Sequence, residues 1–394
     1  MNLNGVYQEA LKHNENVPVQ DETVNQAEEL VKQGYGGVAP TLNLTKQFFW
    51  QQTPPATTTG FSPGYQPQTA LTATQPLLQG FREYEAIRKV KRARDAAQFT
   101  KQDLELSIYK QVVAAYYNIL SLERDITNIQ DNGKYLRDRI KDLEHLHQIG
   151  RSQLTDVLTA KSTAATNDVT EQTDRINLAQ ARDQFALLTG MQSDTPLDDD
   201  AAADFAPQIS PVTYYLDRIK ERPDVQAAKQ QFEADSYGIN IAKADHLPSL
   251  SLTGNYYFER PPNFRDVDWD AKVVITLPLF AGGVTQSKVR EAYSTAHVSE
   301  LKQSLAQRTA EQEIRAAYDS VANDLRQLKL TSENLRINEM TWKEEQRSYR
   351  FGLVNNIDVL QALSNYITAR RSYDSNRFNL KRDFLTLKAA SIIK

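Results

Sequence analysis

The chain has 394 residues, with 46 Lys plus Arg against 50 Asp plus Glu, and a net charge of −4 gives no electrostatic basis for binding nucleic acid. It has no cysteine, which excludes disulfides, thiolate nucleophiles and zinc–thiolate centres. No run of about 18 apolar residues is present, so no transmembrane helix is expected. The opening Met1-Asn2-Leu3-Asn4 is not a basic-then-apolar leader, which leaves a cytosolic protein or one whose leader lies outside this sequence.

After a first helix, Leu42, Leu44, Phe48 and Trp50 share one parity while Thr41, Asn43, Thr45 and Gln47 hold the other. Leu71 and Ala73 continue a weaker alternation, so we expect a strand pair at about 39–53 and 66–78. Period-two alternation suits either a half-buried sheet in a soluble protein or a barrel wall between lipid and water. Taken alone it favours the soluble sheet, because Lys46 stands on the apolar parity.

Residues 81–148 lack proline. Leu104, Ile108, Val112, Ala115, Ile119, Leu122, Ile126, Ile129, Leu136, Ile140 and Leu143 step by three and four, with one skip at Gly133. Such a seam predicts a helix of roughly 100 Å, longer than a compact domain holds. Gly150 interrupts it, and a second helix follows to about Leu188. Glycine favours the position just past a helix end, so Gly150 marks the tip of a long hairpin. Residues 191–221, with three prolines and Asp198-Asp199-Asp200, form a connector. We take the acidic triplet as a solvated loop in preference to a calcium site.

Residues 222–394 then repeat the plan. Leu250, Leu252, Tyr256 and Phe258 alternate with Ser249, Ser251, Thr253 and Asn255, and Trp269, Ala271, Val273, Ile275 and Leu277 make a further face. These predict a strand pair at about 248–260 and 267–280. Ile314, Val321, Leu328, Leu335, Trp342 and Tyr349 are spaced by seven, and Gly352 marks a second tip. Gly150-Arg151-Ser152-Gln153-Leu154-Thr155-Asp156-Val157-Leu158 returns 202 positions later as Gly352-Leu353-Val354-Asn355-Asn356-Ile357-Asp358-Val359-Leu360. Pro76-Leu77 returns as Pro278-Leu279 at the same offset. A repeat this long is a duplicated structural half and not a solenoid unit. We expect residues 1–190 to be one repeat and 222–394 the other.

Several motifs, in order, resemble the TolC-type outer-membrane efflux proteins. They are the helix end Phe185-Ala186-Leu187-Leu188-Thr189-Gly190, the segments Arg222-Pro223-Asp224-Val225 and Leu247-Pro248-Ser249-Leu250, the strand end Leu277-Pro278-Leu279-Phe280-Ala281-Gly282-Gly283, and both Asp-Val-Leu tips. The resemblance spans nearly the whole chain and replaces the soluble-sheet reading. It implies a mostly helical protomer that adds four strands to a trimeric 12-stranded transmembrane β-barrel, with long hairpins forming a periplasmic tunnel. It further implies a passive exit duct in the bacterial outer membrane, serving small-molecule efflux or protein secretion. A periplasmic adaptor and an inner-membrane pump would open it. The rival from another class is a soluble coiled-coil scaffold or periplasmic adaptor; the duplicated hairpin with paired amphipathic strands argues against it.

The resemblance assigns Asp156, Asp358 and Tyr349 to a pore gate, and Gly150, Leu158, Gly352 and Leu360 to the tip turns and adaptor contact. The residues themselves allow a plainer reading: each aspartate lies in a helix's first turn, where a carboxylate suits the helix dipole, and Tyr349 is a seam residue. The second aspartate that the family carries three positions on is Gln361 here, with Thr159 as its first-half equivalent. Arg88-Lys89-Lys91-Arg92-Arg94 is taken as a solvated helix face in preference to a phosphate-headgroup contact. His145 and His147 point to different helix faces. No grouping suggests catalysis, a cofactor or a metal.

Overall fold

The computed structural model describes residues 1–52, 64–199, 205–261 and 266–393; Asp200 and the outermost residue of the first expected strand lie outside these. The elements run α1 (Leu3–His13), α2 (Asn16–Gly36), β1 (Thr41–Trp50), β2 (Tyr65–Gln79), α3 (Arg82–Gln148), α4 (Leu154–Thr189), α5 (Val212–Leu216), α6 (Pro223–Ala244), β3 (Ser249–Glu259), β4 (Trp269–Thr276), α7 (Val284–Arg350) and α8 (Asn356–Ala390). The helices α3 and α7 each have 67 residues and begin 202 positions apart. The same offset separates the starts of α4 and α8, so the duplication is structural. The expected fourth strand overshoots: β4 stops at Thr276, two residues before Pro278, which has no N–H to continue a ladder. Two compact units are present. One comprises Met1–Val19, Lys101–Pro223 and Gln307–Lys394, and the other Gln20–Thr100 and Asp224–Ala306.

The second unit holds an antiparallel sheet in the order β1-β2-β3-β4, so β1 and β4 are its edges. Register aligns like with like. Leu44 faces Leu71, which faces Tyr256, and Tyr256 faces Trp269, while Asn43, Thr72, Asn255 and Asp270 line up on the opposite face. The apolar face is bare: Leu42, Leu44, Val273 and Ile275 are all exposed. Aromatics gather toward one end of it, with Trp50 centred 6.0 Å from Phe48 and 5.5 Å from Tyr65.

The charge that spoke against lipid is accounted for there. A register shift after Ala70 sets Glu259 opposite Thr69, moving it onto the apolar face. Lys46, itself opposite Thr69, then lies 3.8 Å from the Glu259 carboxylate and 5.2 Å from the Phe48 ring centre. A lysine at an aromatic rim, paired and able to extend its ammonium toward water, is compatible with lipid beside it.

In the same unit the basic run is mostly neutralised. Arg88 pairs with Glu85, Arg92 with Glu233 and Arg94 with Asp95, and Lys91 lies over Tyr35. Asp245 receives both Arg82 and Lys288, and Ser299 donates to the buried Asp235 at 2.5 Å.

The first unit is helical and has three apolar clusters. Leu3, Val6 and Ala10 of α1 close over Ile108, Val112, Tyr116 and Ile119 of α3 and Phe185 of α4. Ile129, Leu136 and Leu143 of α3 meet Val157 of α4, Trp342 of α7 and Leu360, Leu363 and Ile367 of α8. Tyr215, Ile314, Val321, Leu380 and Leu387 form the third. Each such side chain contributes about 1.5–3 kcal/mol by leaving water. Seven of the eleven α3 seam residues are buried and four half-buried, and the helix continues unbroken through Gly133.

Between the first two clusters lies a polar belt. Arg371 of α8 binds Asp125 of α3 at 2.5 Å and Asp174 of α4 at 3.0 Å, while Asn128 donates to the buried Asp374 at 2.8 Å. Such pairs hold three helices in one register, since any slip strands a buried charge. The connector is anchored as well: Arg377 pairs with Asp199 at 3.2 Å. The buried Arg222 reaches Glu313 at 2.9 Å and the Ala390 carbonyl at 3.1 Å, giving the Arg-Pro-Asp-Val motif a structural role.

One carboxylate pair shares a single cation, Arg382, whose Nε donates to Asp383 at 2.7 Å. Asp324 of α7 faces Asp383 of α8, and one buried Asp324 oxygen lacks a hydrogen-bond partner. Burial and the Asp383 charge push the Asp324 pKa up to about 6, against the pull of Arg382. A folded-state pKa raised above the unfolded value gives stability that is present below the unfolded value and lost as pH rises through 6. Wild type is therefore expected to lose urea resistance between pH 4 and 6.5, and Asp324→Asn to lose less of it. Unfolding midpoints at pH 5 and pH 7 check this.

Candidate functional site at the hairpin tips

Both tips are built by the same backbone device. Past α3, the Gly150 N–H donates to the His147 carbonyl at 2.9 Å and the Arg151 N–H to the Leu146 carbonyl at 2.7 Å. Past α7, Gly352 donates to Tyr349 at 3.0 Å and Leu353 to Ser348 at 3.0 Å. This is the paired closure of a Schellman motif, and it needs a left-handed residue. Gly150 has φ +72° and Gly352 φ +73°.

The aspartates begin the returning helices. Asp156 accepts from Ser152 Oγ at 3.1 Å and from the Gln153 N–H at 3.3 Å; Asp358 accepts from the Asn355 N–H at 3.0 Å. Each carboxylate thus reaches back to satisfy a donor that the helix start leaves unpaired. Asp358 is exposed and Asp156 half-buried, so both keep oxygen surface toward solvent while capping.

The equivalence of the two repeats ends at the next residues. Leu158 is 55% exposed, whereas Leu360 is 4% exposed and sits in the cluster with Leu136 and Trp342. Leu360 therefore packs into the core here, while Leu158 keeps its apolar surface exposed. The exposed apolar residues at the tips are Phe351, Leu353, Ile149, Leu154, Leu158 and Ile357.

Tyr349 does more than continue the seam. The Arg139 guanidinium of α3 lies 3.8 Å from its ring centre, and Arg139 Nε donates to Asn356 Oδ1 at 3.0 Å. Asn356 Nδ2 in turn donates to the Asp156 carbonyl at 3.3 Å. One chain of contacts therefore joins α3, α7, α8 and the start of α4. Burial pulls the Arg139 pKa down, while Tyr349, Asp142 and Asp156 hold it up. A cleft of about 770 Å³ opens beside this network, lined by Tyr135, Arg139, His145, Tyr349, Arg350 and Gly352 among others.

Sequence reasoning missed Arg139 and Asn356. A signal existed: Asn356 stands where the first repeat has Leu154. An exposed leucine in one copy replaced by an asparagine 2% exposed in the other marks a partner present at only one tip.

The chain combines duplicated helical hairpins with a four-stranded sheet that has one bare apolar face. The outer membrane efflux protein family model matches residues 6–191 and 217–391, and the chain belongs to that family. Nodulation protein T of Rhizobium leguminosarum bv. trifolii is 22% identical over 278 residues, 68% of this chain and 60% of that protein. Outer membrane protein TolC of Escherichia coli K12 is 21% identical over 337 residues, 78% of this chain and 66% of that one. The chain thus spans less than two thirds of the length of these relatives. The solved outer-membrane channel OprN superposes with a TM-score of 0.87 at 19% identity, covering 99% of this chain and 89% of that one.

Replacing Asn356 by Ala removes the link between Arg139 and the Asp156 carbonyl, leaving a mostly buried cation without its amide partner. The expected cost is about 1–3 kcal/mol, read as a lowered denaturant midpoint. Asn365→Ala, on an exposed α8 site, is the neutral reference.

Proposed function

We propose that three copies of this chain close their sheets into one 12-stranded barrel and form a passive exit duct across the bacterial outer membrane. The carrying observation is the sheet itself, with a bare apolar face and two unpaired edges, β1 and β4. In lipid an open edge leaves backbone N–H and C=O groups unsatisfied, so a spanning sheet must close. Four strands cannot enclose a lumen, but twelve enclose a water-filled one, which accounts for the polar opposite face. A soluble scaffold gives no reason for that apolar face.

In this reading the long hairpins of the two repeats, 1–190 and 222–394 joined by 191–221, make the periplasmic tunnel. Asp156 and Asp358 from three protomers ring its tip, and the contacts of Tyr349 with Arg139 hold the resting arrangement. Leu158, Phe351 and Leu353 offer the apolar surface for a periplasmic adaptor, through which an inner-membrane pump opens the duct. The cargo is a small molecule or a secreted protein.

Mass determination in detergent is expected to give three copies; a monodisperse monomer stable without detergent would overturn the proposal. Arg at Leu252 should cost roughly 2–4 kcal/mol if that residue lies near the bilayer midplane, and Arg at Ser251 far less. Urea titration in vesicles measures both, and equal tolerance would refute the assignment of faces.

The tip has its own test. Asn at both Asp156 and Asp358 keeps side-chain size and capping ability while removing six carboxylates per trimer. Carboxylate rings select cations, and a narrow mouth strengthens their field. Reversal potentials across planar bilayers should therefore show reduced cation selectivity in the double variant and a graded loss in the singles. An unchanged potential would leave the aspartates as helix caps alone.

A further inference from the structure

The strands carry four charged residues: Lys46, Glu259, Asp270 and Lys272. Three are engaged. Lys46 and Glu259 pair with each other on the apolar face. On the polar face, Asp270 accepts from Asn255 Nδ2 at 2.7 Å, from the Tyr257 hydroxyl at 2.7 Å and from Arg260 at 3.3 Å. Arg260 is itself fixed, its guanidinium 3.6 Å from the Tyr257 ring centre and donating to the Val267 carbonyl at 3.0 Å. The charges of Asp270 and Arg260 therefore cancel locally.

Lys272 is different. It is exposed, stands opposite Thr253 in the β3–β4 ladder, and shares the face of Asp270 two residues away. It makes no ion pair or hydrogen bond among the described residues. Across the ladder its neighbours on that face are hydroxyls and amides: Thr253, Thr72 and Asn255, with Thr72 donating to Asn255 at 2.8 Å. Asp270 attracts both Lys272 and Arg260, so this one carboxylate is shared between two cations and one positive charge stays in excess on the face.

We propose that Lys272 sets the field of the barrel's water-filled section and makes it a collar that binds polyvalent anions. The inference rests on the trimeric duct, in which three ammonium groups face one lumen. An apolar wall around a watery channel focuses such a field. At 0.1 M salt the Debye length is about 10 Å and the groups act together; at 1 M it is about 3 Å and they do not. The ligand class is a compact anion of two or more charges, such as a phosphate, a sulfate or a polycarboxylate. The same field draws anionic cargo into the barrel.

The test is single-channel recording of the purified trimer in planar bilayers at 0.1 M KCl, with inorganic tripolyphosphate as probe. Wild type is expected to show concentration-dependent block that disappears at 1 M KCl. Lys272→Gln should weaken the block about ten-fold, and Lys272→Arg should retain it. Equal block of wild type and K272Q overturns the collar, as does loss of block in K272R as large as in K272Q. A wild type that conducts without being blocked leaves the duct standing and removes the collar alone. A wild type that forms no conducting pore removes the duct, and the collar with it.

Discussion

Everything in this protein that concerns a membrane depends on the backbone groups of two strand edges. β1 and β4 each have one side with no partner strand among the described residues. In water such edges invite aggregation; in hydrocarbon each unsatisfied group costs several kcal/mol. The apolar face between them, aromatic toward one end, excludes water as the remedy. In the proposed duct, pairing with further copies satisfies both and converts a marginal four-stranded sheet into a wall. The polar face would follow from that closure, because a ring of twelve strands is too wide for side chains to fill.

The helical unit solves the opposite problem. Helices of 67 residues satisfy their own backbones but tend to slide along one another, since a heptad seam repeats. The polar belt around Arg371 breaks that degeneracy, because Asp125 and Asp174 meet its guanidinium in one register only. Apolar clusters on either side supply the burial. The tips then finish each helix with backbone hydrogen bonds and a capping carboxylate, leaving the side chains of the turn free to vary. Conserved backbone geometry with variable surface suits a place where partners must be told apart.

Much of this was legible in the sequence, for identifiable reasons. Long proline-free stretches with three-four spacing can only be long helices, and the glycines ending them gave both tips. Strand parity was legible because each face is uniform in chemistry. Two things were not. Lys46 argued for water because its partner Glu259 reaches the same face only through a register shift, which linear parity counting cannot show. Leu158 and Leu360 looked equivalent because their nine-residue motifs match, yet α8 turns Leu360 into a core that α4 does not offer Leu158. Sequence repeats report shared ancestry of local structure; burial is decided by neighbours that the repeats do not share.

That asymmetry bears on how the two tips are held together. Beside the apolar packing of Val157 against Leu360, the first tip is tied to the second by one polar chain of contacts: Tyr349 under Arg139, Arg139 to Asn356, and Asn356 to a backbone carbonyl. None of these is a direct carboxylate–guanidinium bridge, and the Arg139 cation is partly desolvated with its pKa lowered. The cation is held directly by a ring face and an amide, and the nearby Asp142 and Asp156 charges compensate part of its desolvation. Asp156 and Asp358 remain bound to their own helix starts whichever way Arg139 turns, because their capping bonds are local. The tip therefore separates two tasks. Its charge is fixed by capping, and its packing rests on one arginine whose direct contacts are a ring and an amide, with Asp142 and Asp156 acting on it only through their fields.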